Sequence, residues 1–282
     1  MTMHQAADFV VPRKLIRLPM YDWPQFAQHT RSLEAAIAES VFTELGLVDG
    51  TYEDATDHTD LTDLWMSPDL LVAQTCGYPL VTQLVDQVVP LGIPHYDAPG
   101  CEAERYVSHI IVRCDDELVG LQDLCGKVAV VNGPDSQSGY NAFRHAIAPL
   151  AGGQPYFAGV LQSGSHLKSL KAVAASRADV CCVDAICWEY TMRTLPELAQ
   201  QLRPIARTQS VPGLPLVTSK HRSEKEISAL GAVLAEVFSC SKTEESRRNL
   251  GICGFTHCSF TDYAPILQMK HEAEMLGYPA VN

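Results

Sequence analysis

Two short stretches concentrate the polar chemistry of this chain: Ser136-Gln137-Ser138-Gly139 and Ser163-Gly164-Ser165-His166. Each follows an apolar, strand-like run and precedes a helix-like one. Their N–H groups therefore fall among the donors that a helix start leaves without intrahelical acceptors. With serine hydroxyls added, such clusters suit a phosphonate, a phosphate or a carboxylate. The plainer reading of Ser138 and Ser165 is a helix N-cap, worth about 1 kcal/mol, and both readings apply to the same atoms. His166 can donate a hydrogen bond to an anion, or carry a charge when protonated near the reference pKa of about 6.5; otherwise it is a surface histidine beside a cap. Asp184 ends the apolar run 178–183 at the same kind of position. A carboxylate there repels a bare phosphate, and it makes sense if the ligand also carries an amine or a hydroxyl. Its alternative role is the N-cap of the helix that follows.

These residues need strands and helices to hold them, and the sequence alternates the two over most of its length, the pattern of parallel sheets covered by helices. Residues 15–20 read as a first strand, and Pro24 opens a helix reaching Leu47, since proline loses nothing by lacking an N–H in a first helical turn. The polar, acidic stretch 51–60 reads as a surface loop before the buried strand Leu70-Leu71-Val72-Ala73. Gln74-Thr75-Cys76-Gly77 then lead to a helix starting near Pro79. Further strands are expected at 107–112, 128–131, 157–161, 178–183 and 216–218. Helices are expected at 140–148, stopped by Pro149 and Gly152-Gly153, and at 167–175. The remainder reads as all helical, with Ile227, Leu230, Val233, Leu234, Val237 and Phe238 on one face and a last helix at 265–276.

At 282 residues, 46% of them hydrophobic, the chain can bury the core of two domains. A net charge of -12 argues against nucleic acid, whose phosphates need clustered Lys and Arg. No apolar run reaches the roughly 18 residues of a membrane span, so no membrane insertion is expected. Residues 1–14 lack the basic and apolar segments of an export signal, which gives a cytoplasmic reading, or a periplasmic one if a signal peptide was removed. Ten cysteines with no CxxC pair read as reduced thiols, several of them small apolar residues, as in Val180-Cys181-Cys182-Val183. No metal and no cofactor is expected.

Leu18-Pro19-Met20-Tyr21-Asp22, the run from Leu70 to Leu80, Asn132 with Ser136 to Tyr140, Ser163 to His166, and Ala178-Asp179-Val180 leading to Asp184 occur in an order and spacing that carry a family resemblance. Together they resemble the PhnD-like phosphate, phosphite and phosphonate substrate-binding proteins of ABC transporters, from about residue 15 to 220. The resemblance implies an α/β, two-lobed type 2 periplasmic-binding-protein fold, each lobe a mixed sheet flanked by helices. Two crossing strands, near 106–110 and 212–217, would join a lobe of residues 1–106 plus 217–282 to a lobe of residues 107–216, with the C-terminal helices packing back on the first. It further implies a solute-binding protein rather than an enzyme, closing on a small anionic ligand such as a phosphonate or phosphate, with an ABC-transporter permease or a signalling protein as partner. In that frame Tyr21 forms an aromatic wall, Gln74, Thr75 and Tyr78 contact the ligand from one lobe, and Ser136, Gln137, Ser138, Gly139, His166 and Asp184 contact it from the other. Tyr21 and Tyr78 also read as packing residues. An enzyme or a sensor on the same fold is the alternative, favoured by the cytoplasmic reading and by a His and an Asp in one cleft.

Overall fold

The computed structural model describes residues 15–47 and 60–282. The chain begins with β1 (Leu15–Arg17), α1 (Ala27–Leu45), α2 (Leu61–Met66), β2 (Leu70–Gln74), α3 (Gly77–Thr82) and β3 (Val88–Tyr96). It continues through β4 (Cys101–Glu102), β5 (Arg105–Tyr106), β6 (Ser108–Arg113), β7 (Val128–Val131), α4 (Ala142–Ala151), β8 (Gly159–Gln162), α5 (His166–Ala174), β9 (Val180–Asp184) and α6 (Ala185–Thr194). The last part holds α7 (Pro196–Ala199), β10 (Leu202–Arg207), β11 (Val211–Pro212), β12 (Leu216–Ser219), α8 (Glu224–Val237), α9 (Glu244–Asn249), β13 (Ile252–Thr256) and α10 (Ala264–Met275).

Two five-stranded sheets organise these elements, one in the order β1-β2-β12-β3-β13 and the other β10-β6-β9-β7-β8. Both are mixed: β1 and β2 are parallel in the first, and β9, β7 and β8 are parallel neighbours in the second, while the remaining pairs run antiparallel. The chain passes between the sheets twice, and at those passages β5 and β11 pair antiparallel, Tyr106 opposite Val211 and Arg105 opposite Pro212. Strand β2 is buried along its whole length, as the apolar run of its first four residues demands.

Alternation along β9 divides the second sheet between two cores. Cys181 and Val183 join the apolar cluster that contains the first sheet, whereas Val180 and Cys182 face a second cluster around Phe143, Ile147, Tyr156 and Phe157. Helix α6 strengthens the first of these connections. The Tyr190 ring packs against Phe26, Trp23 and Tyr21 with centroids 4.3, 5.6 and 6.2 Å away, and its hydroxyl donates to the Leu250 carbonyl at 2.8 Å. Arg193 lies over the Phe26 ring and donates to the Asn249 carbonyl.

Several elements differ from the sequence expectation for identifiable reasons. β1 stops at Arg17 because the buried Glu34 of α1 takes the Leu18 N–H at 2.6 Å, turning the chain out of the ladder. Pro24 lies in a turn ahead of α1 rather than inside its first turn. Pro149 does not stop α4; it removes one late backbone bond, and the helix ends at Gly152, whose left-handed φ of 58° suits glycine. The expected polar loop at 51–60 lies outside the described residues except for Asp60, which caps α2 by accepting the Thr62 N–H at 2.8 Å. The end of the chain is not all helical, since β13 pairs with β3. Nor do all the C-terminal residues return to the first sheet: Ala273, Tyr278 and Val281 fill the second cluster, and the Asn282 carbonyl accepts the N–H groups of Tyr156 and Phe157.

The tail is thus part of the second core. Tyr278→Ala is expected to cost about 3–5 kcal/mol, as for other buried aromatic rings, measured as a lower midpoint in urea unfolding.

Candidate functional site

Strands β9, β7 and β8 end at the same sheet edge, and each passes the chain into a helical start. After β7 a π-helical turn, Gln137–Asn141, precedes α4, and Ser136 caps it by accepting the Gly139 N–H at 3.0 Å. After β8, Ser165 accepts the Lys168 N–H at 3.3 Å and caps α5. Asp184 Oδ1 accepts the Cys187 N–H at 2.6 Å and caps α6. The first two exits are tied together, because Ser163 and Gly164 donate their N–H groups to the carbonyls of Val131 and Asn132.

With the caps satisfied, the remaining polar atoms meet one another. Ser138 Oγ lies 2.9 Å from His166 Nε2, and Asp184 Oδ2 lies 3.2 Å from the same nitrogen. A carboxylate only accepts, so this arrangement puts a proton on Nε2. His166 Nδ1 is buried and has no hydrogen-bond partner among the described residues.

These groups open on a cavity of about 410 Å³. Tyr21, Asp22, Trp23, Trp65 and Cys76 form one side of it, and Asn132, Asp135, Ser136, Ser138, Ser165, His166, Asp184 and Cys187 the other. The described lining contains three aspartates and no Lys or Arg. Burial, with Asp184 adding to it, pushes the Tyr21 phenol well above its ordinary range, and burial also raises the Cys76 thiol. The Tyr21 hydroxyl is buried without a hydrogen-bond partner among the described residues. Cys76 bridges the two sides, its sulfur accepting the Gln137 N–H at 3.3 Å.

The expected site residues separate into two groups. Tyr21, Ser136, Ser138, His166 and Asp184 come together on the cavity. Gln74, Thr75, Tyr78, Gln137 and Gly139 support it from behind. The Gln74 side chain turns to the Tyr96 hydroxyl at 3.4 Å while its carbonyl accepts the Trp65 indole N–H at 3.1 Å. The Thr75 N–H donates to the Pro215 carbonyl, and the Tyr78 hydroxyl accepts from Arg144. The Gln137 amide lies between Asn141 and Met269. Sequence reasoning missed Asp22, Trp65, Asp135 and Cys187. Cys187 had a usable signal, because it lies three residues beyond a strand-ending aspartate and so shares the first helical turn with its cap; Trp65 had none.

A family model described as "ABC transporter, phosphonate, periplasmic substrate-binding protein" matches residues 44–263. Among solved structures, a binding protein component of an ABC phosphonate transporter from Pseudomonas aeruginosa is 18% identical with a TM-score of 0.74, covering 94% of this chain and 88% of that one. PhnD1 from Prochlorococcus marinus, in complex with methylphosphonate, is 14% identical with a TM-score of 0.72, covering 93% and 98% respectively. A Xanthomonas citri protein bound to ATP is 17% identical with a TM-score of 0.70, again covering 93% and 98%. No curated protein sequence matches the chain. The structural likenesses show the two-lobed type 2 architecture expected from the sequence.

Gly139 is where this arrangement has least room. A Cβ there would stand 1.7 Å from Asn132 Oδ1 and 3.1 Å from His166 Cε1. Gly139→Ala is expected to destabilise the protein by about 1–3 kcal/mol through overpacking. The measurements are a lower thermal midpoint and displaced imidazole resonances of His166 in an NMR spectrum.

Proposed function

This chain belongs to the phosphonate family of ABC-transporter periplasmic substrate-binding proteins, and from that premise we propose that its cavity holds a small phosphonate by its anionic head at the serine-capped helix starts. Ser136, Ser138 and His166 serve the head, and Asp184 takes an amine or hydroxyl at the ligand's other end. The observation that carries this reading is the convergence of three capped helix starts on one cavity, with hydroxyl, imidazole and carboxylate side chains meeting there. Asp184 on the lining favours a zwitterion over a bare anion, because a carboxylate beside the helix starts repels a lone anionic head and attracts a positive group on the same ligand. Tyr21 and Trp23 close the aromatic side, while Gln74, Thr75, Tyr78, Gln137 and Gly139 hold the lining in place.

Catalysis on the same fold is the competing reading, and the histidine geometry speaks for binding instead. Ser138, His166 and Asp184 look like the members of a nucleophilic triad, but that mechanism needs the carboxylate on the nitrogen opposite the serine. Here both partners sit on Nε2 and Nδ1 has no partner, so Asp184 cannot orient His166 as a base toward Ser138.

The family implies a permease as partner, and no helix among the described residues is long and apolar enough to cross a membrane. The family's description is periplasmic. A cytoplasmic address is the narrower reading, supported by ten cysteines that are all free thiols. Cell fractionation of the native host tests it, with recovery in the osmotic-shock fraction counting against it.

Calorimetry with methylphosphonate and 2-aminoethylphosphonate tests the ligand. Replacing Ser136 and Ser138 together by Ala is expected to weaken both by about 1–3 kcal/mol, the scale of charge-assisted hydrogen bonds. Asp184→Asn should weaken only the amino compound. Unchanged affinity in the double serine variant would remove the anion site from this cavity.

A further inference from the structure

The cavity is read above as an anion site, yet its described lining residues bring carboxylates and no cationic side chain apart from His166. A ligand amine is one source of positive charge; a metal ion is another, and three side chains are placed to hold one. His166, Asp184 and Cys187 each offer a ligand atom, and these atoms lie within 4.8 Å of one another. His166 Nε2 and Asp184 Oδ2 are already 3.2 Å apart. Ligands bound about 2.0–2.3 Å from a tetrahedral zinc ion stand roughly 3.3–3.8 Å from each other, so the His166–Asp184 pair is already at that spacing and no pair exceeds it by more than about 1 Å.

The fold fixes all three positions. Asp184 ends β9 and spends Oδ1 on capping α6, which leaves Oδ2 for another partner. Cys187 occupies the first turn of that helix, and His166 is the first residue of α5. Beside them the buried Tyr21 hydroxyl, on the same cavity, has no hydrogen-bond partner among the described residues. Imidazole, thiolate and carboxylate together suit zinc better than calcium or magnesium, which prefer all-oxygen sets. Three protein ligands with a fourth position facing a cavity is the arrangement in which zinc takes up an outside ligand.

We propose that His166, Asp184 and Cys187 bind a zinc ion whose fourth position receives an oxygen of the anionic ligand. As the metal–sulfur bond forms, the thiol proton passes to water. The Nε2 proton of His166 is replaced by the ion while Nδ1 takes up a proton from water, so the imidazole stays neutral; the ion then presents positive charge to the anionic ligand. The proposal rests on this cavity being the ligand site. Zinc would occupy the place at Asp184 otherwise taken by a ligand amine, so it applies to phosphonates without one.

The test uses the full chain stripped with a chelator and titrated with zinc alone, then with methylphosphonate in the presence and absence of zinc. One zinc ion per chain is expected, binding at least about tenfold more weakly in Cys187→Ser and in His166→Ala, a loss of about 1.4 kcal/mol or more. Cobalt in the unaltered protein should give a thiolate charge-transfer band, a readout that does not depend on any variant folding. Methylphosphonate should bind at least about tenfold more tightly with zinc. No zinc binding, no thiolate band, or equal zinc affinity in folded Cys187→Ser overturns the metal site. Methylphosphonate binding that ignores zinc overturns the ion's role in anion binding and leaves the cavity reading standing. Zinc binding without methylphosphonate binding under either condition overturns the ion's role in anion binding and leaves the metal site; if 2-aminoethylphosphonate also fails to bind, the cavity reading falls as well.

Discussion

Three neighbouring parallel strands that end together create a demand the rest of the structure answers. Each strand passes into a helical start, and each start brings backbone N–H groups that need acceptors at one edge of one sheet. Ser136, Ser165 and Asp184 meet the demand from within their own turns. Because Asp184 caps with one oxygen and touches His166 with the other, the site is built from what capping leaves over. Losing such a cap costs on the order of 1 kcal/mol, so the residues that face the cavity are also residues that hold its walls. A substitution that reshapes the cavity face therefore also loosens the wall behind it.

The sequence showed the strand–turn–helix exits clearly because small polar residues interrupt apolar runs there. β7 was expected at 128–131 and is found as Val128–Val131. Strands containing proline were the hard ones. β3 carries Pro90 and Pro94 in the interior of a sheet, yet its first half pairs only with β12 and its second half only with β13. Each proline therefore has an unladdered side where a missing N–H costs nothing. β10 holds Pro204 as the edge strand of the second sheet, with an irregular register beside it. β13 is short, partly exposed and interrupted by Gly254, so neither alternation nor apolar content marks it.

The cavity lining was legible to the same extent and for a related reason. Types and spacing identified Ser165 and Asp184 as caps, since caps depend on local chain geometry, but they placed the remaining cap on Ser138, whereas Ser136 caps the turn and Ser138 turns to His166. They could not tell which of two adjacent side chains turns inward, and so Ser138 and Gln137 looked equivalent. The distinction is tertiary: Gln137 is drawn away by Asn141 and by Met269 of α10, an element far along the chain. The same holds for Gln74, whose side chain is claimed by Tyr96. Trp65 reaches the cavity because its indole N–H is held by the Gln74 carbonyl, a contact with no signature in local sequence.

Helix α6 starts at the cavity with Asp184 and, along its length, sets Tyr190 among Phe26, Trp23 and Tyr21 of the other half of the molecule. A single apolar cluster runs through that contact from one sheet to the other. Melting either sheet exposes apolar surface of a cluster that the other shares, which couples the two sheets in unfolding. Free energy gained when a ligand binds at the cavity, growing as RT ln(1 + [L]/Kd), is then returned as protection of backbone amides in regions the ligand never touches.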